Sequence, residues 1–209
     1  MKLKTVFPAL LLCLGILNGC GAARPSKFYQ LTSPNDKIAG ADPAPFPVTL
    51  LLGPITTSHL YRDDHIVYTS DGEAMGTYEY ERWAEPPSEM ISDVLLQELQ
   101  KSERFQHVYP LRSNTRGDYV LRGHLYDFRE IAENGLAARV AFEFELRDAK
   151  TGTAVWSRSY AHDESVTSKN VTAVVAAMNR NVQSGLSGVM QGLDEYFSTH
   201  GVDISATGH

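Results

Sequence analysis

Seven histidines, His59, His65, His107, His124, His162, His200 and His209, are the side chains best suited to metal binding or to proton transfer near neutral pH. No two stand at the four-apart or two-apart spacing that recurs in zinc sites, so no metal is expected. His124 and His162 could face each other on neighbouring strands, although two histidines on a solvated strand face explain the pattern more simply. Ser187-Gly188 lacks the strand-to-helix elbow of a serine hydrolase, and Gly72, Gly76 and Gly117 build no phosphate-binding loop. The close carboxylates Glu143 and Glu145, and Asp163 and Glu164, fit a wet strand face or a turn. No catalytic residue and no cofactor are therefore expected. A hydrolase whose carboxylates are far apart in sequence would leave no such signature, and would show instead a deep pocket where they converge.

Cys20 is the residue whose chemistry the sequence does specify. Lys2 and Lys4 open the chain and the run from Val6 to Leu17 is apolar. At about a dozen residues it is too short for a spanning helix, which needs ~20, and it reads as a signal peptide over residues 1–19. Leu17-Asn18-Gly19-Cys20 then matches the lipobox of bacterial lipoproteins. Cleavage before Cys20 would expose a thiol that can carry diacylglycerol and an amine that can be acylated. Each buried methylene adds ~0.8 kcal/mol, so several chains hold far more firmly than one. The plainer alternative is an ordinary secretory signal in which Cys20 is incidental. The other cysteine, Cys13, lies inside the apolar run, so the mature domain would have no disulfide and no thiolate metal site. Gly21, rather than aspartate, follows Cys20 and favours sorting to the outer membrane.

Removing 19 residues leaves about 190, enough for one domain with a sizeable core. Losing Lys2 and Lys4 takes the formal charge from −6 to −8, and no basic cluster remains. Nucleic acid is not an expected partner.

The elements follow from periodicity. Ala22 to Ser26 reads as a tether and Lys27 to Leu31 as a short aromatic edge strand, with a proline-rich loop from Ser33 to Pro47 completing a 20–47 anchor region. A single α+β domain is expected over 48–200, and 201–209 as a frayed tail. Val48 to Leu52 is continuously apolar and fits a buried strand. His65–Thr69 and Thr77–Arg82 form an antiparallel pair about the Ser70–Glu73 turn. A helix starts at Glu85-Pro86-Pro87-Ser88, capped by Ser88 or a residue before it, with Met90, Ile91, Val94, Leu95 and Leu99 on one stripe. Asp118 to Val166 is a three-strand meander, clearest where Val140, Phe142, Phe144 and Leu146 alternate with polar neighbours, and Asp148–Gly152 is a hairpin loop. From about Asn170 to His200 a long amphipathic helix carries Gly185, Gly188 and Gly192. Each glycine costs ~1 kcal/mol in a helix interior, so three imply close backbone approach, a bend or a join between two helices. The whole is a mixed, largely antiparallel sheet packed by two main helices.

The run Thr77-Tyr78-Glu79-Tyr80-Glu81-Arg82-Trp83-Ala84-Glu85-Pro86-Pro87 is dense in the residue types of binding hot spots. Tyr78, Tyr80, Arg82 and Trp83 are accordingly candidate partner contacts. The structural alternative buries Trp83 and pairs Arg82 with a local glutamate, and a mixed case leaves Tyr78 or Tyr80 exposed.

Several of these runs resemble one family. The lipobox, Phe28-Tyr29-Gln30-Leu31, Leu52-Gly53-Pro54-Ile55, His59-Leu60-Tyr61-Arg62 before Ile66-Val67-Tyr68, and above all Tyr80-Glu81-Arg82-Trp83-Ala84-Glu85-Pro86-Pro87 are similar to the ABC-type transport auxiliary lipoproteins. The resemblance covers essentially the whole mature domain, with Phe28 standing where a tyrosine is usual. It implies a non-enzymatic component at the outer membrane, with its domain facing the periplasm and a fold similar to the N-terminal domain of TolB. Its implied partners are a periplasm-spanning MCE-domain protein, the inner-membrane complex that moves lipids or other hydrophobic compounds, and further copies of the chain in a homo-oligomer. The resemblance brings no catalytic residues. A lipoprotein that scaffolds or regulates peptidoglycan enzymes is the alternative.

Overall fold

A computed structural model describes residues 24–33, 44–69, 74–132 and 135–200. Cys20, the signal peptide, the Ser70–Glu73 turn and the tail from 201 lie outside the described residues. Among the described residues eight strands and two helices follow in chain order: β1 Lys27–Tyr29, β2 Phe46–Thr57, β3 His65–Thr69, β4 Met75–Trp83, α1 Pro87–Lys101, β5 Phe105–Pro110, β6 Tyr119–Ile131, β7 Ala137–Asp148, β8 Ala154–Ser165 and α2 Val171–His200. A single 3-10 turn, His59–Tyr61, joins β2 to β3.

The sheet is organised on β6. One edge of it pairs along its whole length with β7, antiparallel, from Tyr119↔Asp148 to Ile131↔Ala137. The other edge is shared: β2 runs parallel to it from Leu50↔Tyr119 to Thr57↔Leu125, and β3 takes over, also parallel, from Val67↔Arg129 to Thr69↔Ile131. Outside these lie β5 parallel to β2, β4 antiparallel to β3, β1 parallel to β4, and β8 antiparallel to β7. The sheet is therefore mixed, and the long β6–β7–β8 meander gives its antiparallel character.

Both helices lie on one face. α1 packs on β2 and β5, α2 on β7 and β8, and the two touch each other. The meander explains why: Val140, Phe142, Phe144 and Leu146 are buried beneath α2, while Arg139, Ala141, Glu143 and Glu145 between them are only half-buried on the other, helix-free face. The stripes of both helices, Met90, Ile91, Leu95 and Leu99 on α1 and Val174, Met178, Val182, Leu186, Val189, Leu193 and Phe197 on α2, are buried in the same core. Asn181, 1% exposed, is a polar group enclosed by it. Its Nδ2 donates to the carbonyls of Ala138 and His162 at 2.8 and 2.9 Å, and its Oδ1 accepts from the Tyr160 hydroxyl at 2.7 Å. The amide is thus satisfied by β7 and β8 together, and it fixes the height of α2 over the sheet.

Several expectations need correction. The buried strand at Val48–Leu52 extends from Phe46 to Thr57, through Gly53-Pro54. The β5 ladder ends at Leu52↔Pro110 and the β6 register shifts between Leu52 and Ile55, so Pro54 stands where its missing N–H breaks no ladder bond. Of the two capping positions expected for α1, the structure takes the earlier, Pro86, with Pro87 in the first turn and no side-chain cap. α2 is one unbroken helix, so its glycines mark no join. A Cβ at Gly185 would lie 2.5 Å from Phe142 Cζ, and one at Gly192 2.7 Å from Trp156 Cζ2, which makes close approach the reason for both. Finally, His124 and His162 do not face each other: β6 and β8 flank β7 on opposite sides, with His124 opposite Glu143 and His162 opposite Val140.

Candidate functional site

The four candidate partner residues sit at the corner where β3, β4 and β1 meet, and an irregularity in β4 sets their directions. His65 pairs with Arg82 but Val67 already pairs with Thr77, so the residues from Tyr78 to Glu81 bulge opposite Ile66. The bulge breaks strict alternation. The Trp83 N–H donates to the Asp64 carbonyl and the Ala84 N–H to the Tyr29 carbonyl, both at 2.7 Å, tying this corner to β3 and β1.

Trp83 is 0% exposed, with its ring 5.2 Å from that of Phe128. It is a core residue and not a surface contact. Arg82 is held by Asp64, at 2.8 Å from Nη1 to Oδ1, rather than by a glutamate. Tyr78 is half-buried, its ring 4.9 Å from Tyr68 and its hydroxyl donating at 2.8 Å to Oε2 of Glu130, itself only 9% exposed. Burial above all, and then the Glu130 bond and charge, push the Tyr78 phenol far up from its usual range. Tyr80 is likewise half-buried, with the Arg24 guanidinium 5.5 Å above its ring. The bond to Glu79 raises its phenol.

The segment leading into this corner is fixed on both helices. Tyr29 donates to Glu81 Oε2 at 2.7 Å, and Lys27 Nζ stands 3.4 Å from Glu81 Oε1. Leu31 is buried. The Thr32 N–H donates to Asn179 Oδ1 at 2.9 Å, Asn179 Nδ2 to Thr32 Oγ1 at 3.0 Å, and Gln183 Nε2 to the Thr32 carbonyl at 2.9 Å. Ser33 donates to Glu98 and accepts from Lys101 on α1. Sequence patterning gave no sign of this clamp, since each partner is an ordinary polar residue on a helix flank.

The helix-free face holds a second group of polar and aromatic side chains, which the sequence did not single out. Tyr126 is 55% exposed, its hydroxyl donating to Glu143 at 2.9 Å and its ring 4.4 Å from that of His124, whose Nδ1 lies 2.8 Å from Thr56 Oγ1. Nearby the Tyr61 hydroxyl donates to Asp127 at 2.8 Å and Arg129 pairs with Asp127 at 3.2 Å. Burial, then the Asp127 charge, push Tyr61 up to about 12. Burial also raises Asp127, against the opposing pull of the Tyr61 bond and Arg129. An open depression of about 450 Å³ at the β6–β7 tip is lined by Ile131, Leu136, Arg139, Asp163, Ser165 and Val166. Its charges are already paired, Arg139 to Asp163 by two bonds of 2.7 Å. Among the described residues no three His, Cys, Asp or Glu side chains gather as a metal site would require, and no helix is long and apolar enough to cross a membrane.

A crystal structure of a Xanthomonas campestris protein assigned to domain-of-unknown-function family 330 superposes with a TM-score of 0.72 at 18% identity, over 82% of this chain and 97% of that one. A second crystal structure, of an uncharacterized protein, gives a TM-score of 0.64 at 13% identity, over 81% and 99%. They show that the fold is shared over nearly its whole extent. No curated protein matches this chain. The model of the ABC-type transport auxiliary lipoprotein component matches residues 29–186, from β1 into α2 and across every strand of the sheet, and the chain belongs to that family.

Proposed function

We propose that this protein is the outer-membrane, lipid-anchored auxiliary component of an MCE/ABC-type system that moves lipids or other hydrophobic compounds between membranes, and that it docks the periplasm-spanning MCE protein there. Membership of the auxiliary lipoprotein family carries the reading. Leu17–Cys20 supplies the anchor and Gly21 the sorting signal. Confinement to a membrane raises the concentration that a partner's tip meets without adding any contact energy, so a modest docking surface suffices. The helix-free face around Tyr126 is the main surface offered to that partner, while the corner at Tyr80 and Arg82, with Trp83 supporting it from inside, adjoins the β1 edge nearest the anchor.

The test is purification of the lipidated protein from mild-detergent extracts of whole envelopes, followed by mass spectrometry. An MCE-domain protein and its permease complex are expected, and the stoichiometry reports whether copies of this chain associate. Recovery of a peptidoglycan synthase in their place would overturn the docking role in favour of a scaffold for wall enzymes.

A further inference from the structure

Resting on the reading of Cys20 as the lipid anchor, we infer that the β1 edge is the membrane-facing side of the domain, with Phe28 seated at the level of the phospholipid headgroups. The chain path carries the argument. From Lys27 onward the backbone is held: β1 is paired with β4, Leu31 is buried, and Thr32 and Ser33 are bonded to α2 and α1. Arg24 is placed over Tyr80. Four peptide steps separate Cys20 from Arg24, a span of at most ~14 Å when fully extended. The Cys20 backbone therefore lies within that distance of the Arg24 backbone whichever way the chain runs, and the bilayer surface only the length of the Cys20 side chain and its glycerol beyond it.

The surface at this point fits such a neighbour. Among the described residues β1 has β4 on one side and no strand on the other, so its outer edge is open. Phe28 is 62% exposed, the most exposed large hydrophobic side chain among the described residues, and lies eight residues from the anchor. An aromatic ring at the headgroup boundary recovers apolar contact that water denies it. Arg24, exposed and four residues before it, is a long cationic side chain of the kind that reaches phosphate while its stem stays on apolar surface. The acidic neighbour Glu81 is already engaged by Tyr29 and Lys27, so it does not stand as an unpaired charge against lipid phosphate. The ring, the Arg24 cation and the short tether converge on one edge of the sheet. That edge, facing the bilayer, turns the helix-free face at Tyr126 sideways, open to the periplasm.

The test uses the full-length, lipidated protein reconstituted in vesicles of phosphatidylethanolamine with a minority of phosphatidylglycerol. Phe28→Cys and, as reference, Tyr126→Cys each receive a nitroxide label, and collision with oxygen is compared with collision with a water-soluble nickel chelate. The label at 28 should lose nickel access several-fold on membrane attachment while the label at 126 keeps it. A vesicle-bound protein whose label at 28 stays as open to nickel as that at 126 overturns the proposal. So does shielding at 28 that persists in the lipid-free Cys20→Ala protein, which reports a protein contact. Failure of the anchor itself reads differently: the protein does not float with the vesicles at all.

Discussion

Thr32 and Asn179 hold each other by two bonds, the Thr32 N–H donating to Oδ1 at 2.9 Å and Asn179 Nδ2 donating to Oγ1 at 3.0 Å. The pair joins the strand nearest the anchor to the helix that covers the meander, across 147 positions of sequence. Asn179→Ala removes both, and the Gln183 bond to the Thr32 carbonyl remains. The bonds are exposed, so the expected loss is about 1 kcal/mol in urea unfolding. Amide exchange at Thr32 should quicken while amides of the β6–β7 ladder keep their protection.

The buried carboxylate of Glu130 depends on one phenol. Tyr78→Phe keeps the ring against Tyr68 and removes the donor to Glu130. A buried acceptor left without its partner costs about 1–3 kcal/mol. Urea unfolding of Tyr78→Phe at pH 7 should show that loss, and Tyr80→Phe, whose phenol lies outside the core, should unfold as the parent does.

Alkaline stability should bend at Tyr61. Its folded pKa is raised from 10.0 to about 12, mainly by burial and then by the Asp127 charge. The folded state thus holds this proton more tightly than the unfolded chain, whose phenol ionises first. The stabilisation is fully present below pH 10 and is lost as pH climbs from about 10 to about 12. Tyr78, raised in the same direction, steepens the fall. Tyr61→Phe should be less stable at pH 8, having lost the Asp127 bond, and should show a shallower decline between pH 9 and 11.

The glycines of α2 divide into two kinds. A Cβ at Gly185 meets Phe142 and Tyr160, and one at Gly192 meets Trp156, all inside 3 Å, whereas the nearest atom to a Cβ at Gly188 is Arg158 Nε at 3.6 Å. Gly185→Ala should therefore cost about 1–3 kcal/mol through overpacking. Gly188→Ala should gain up to about 1 kcal/mol from helix propensity. Thermal melts of the two single variants read the opposite signs directly.

Much of this architecture was legible in the sequence because burial here is one-sided. The alternation of Val140, Phe142, Phe144 and Leu146 announces a strand with one wet face, and the three-and-four spacing from Val174 to Phe197 announces the helix that covers it. β5 left no such trace: only Phe105 and Val108 are buried in it, three residues apart, on an edge strand where alternation is not required. The candidate corner was legible by composition but not by direction. A four-residue bulge opposite Ile66 breaks the alternation before Trp83 turns into the core, and a bulge is a property of the pairing, not of either strand alone. Tyr126 went unremarked because a single exposed aromatic on a polar strand face carries no pattern.

Docking at the outer membrane is tested most directly by photo-crosslinking in cells that make the lipidated protein at native level. A benzophenone side chain replaces Tyr126 on the helix-free face in one strain and Tyr80 at the corner in another, with Cys20→Ala as the unanchored control. A crosslinked band containing the MCE-domain protein is predicted from at least one of the two positions, and its loss is predicted when Cys20 is replaced. Membrane-bound protein that crosslinks to no MCE-domain partner from either position would contradict the account.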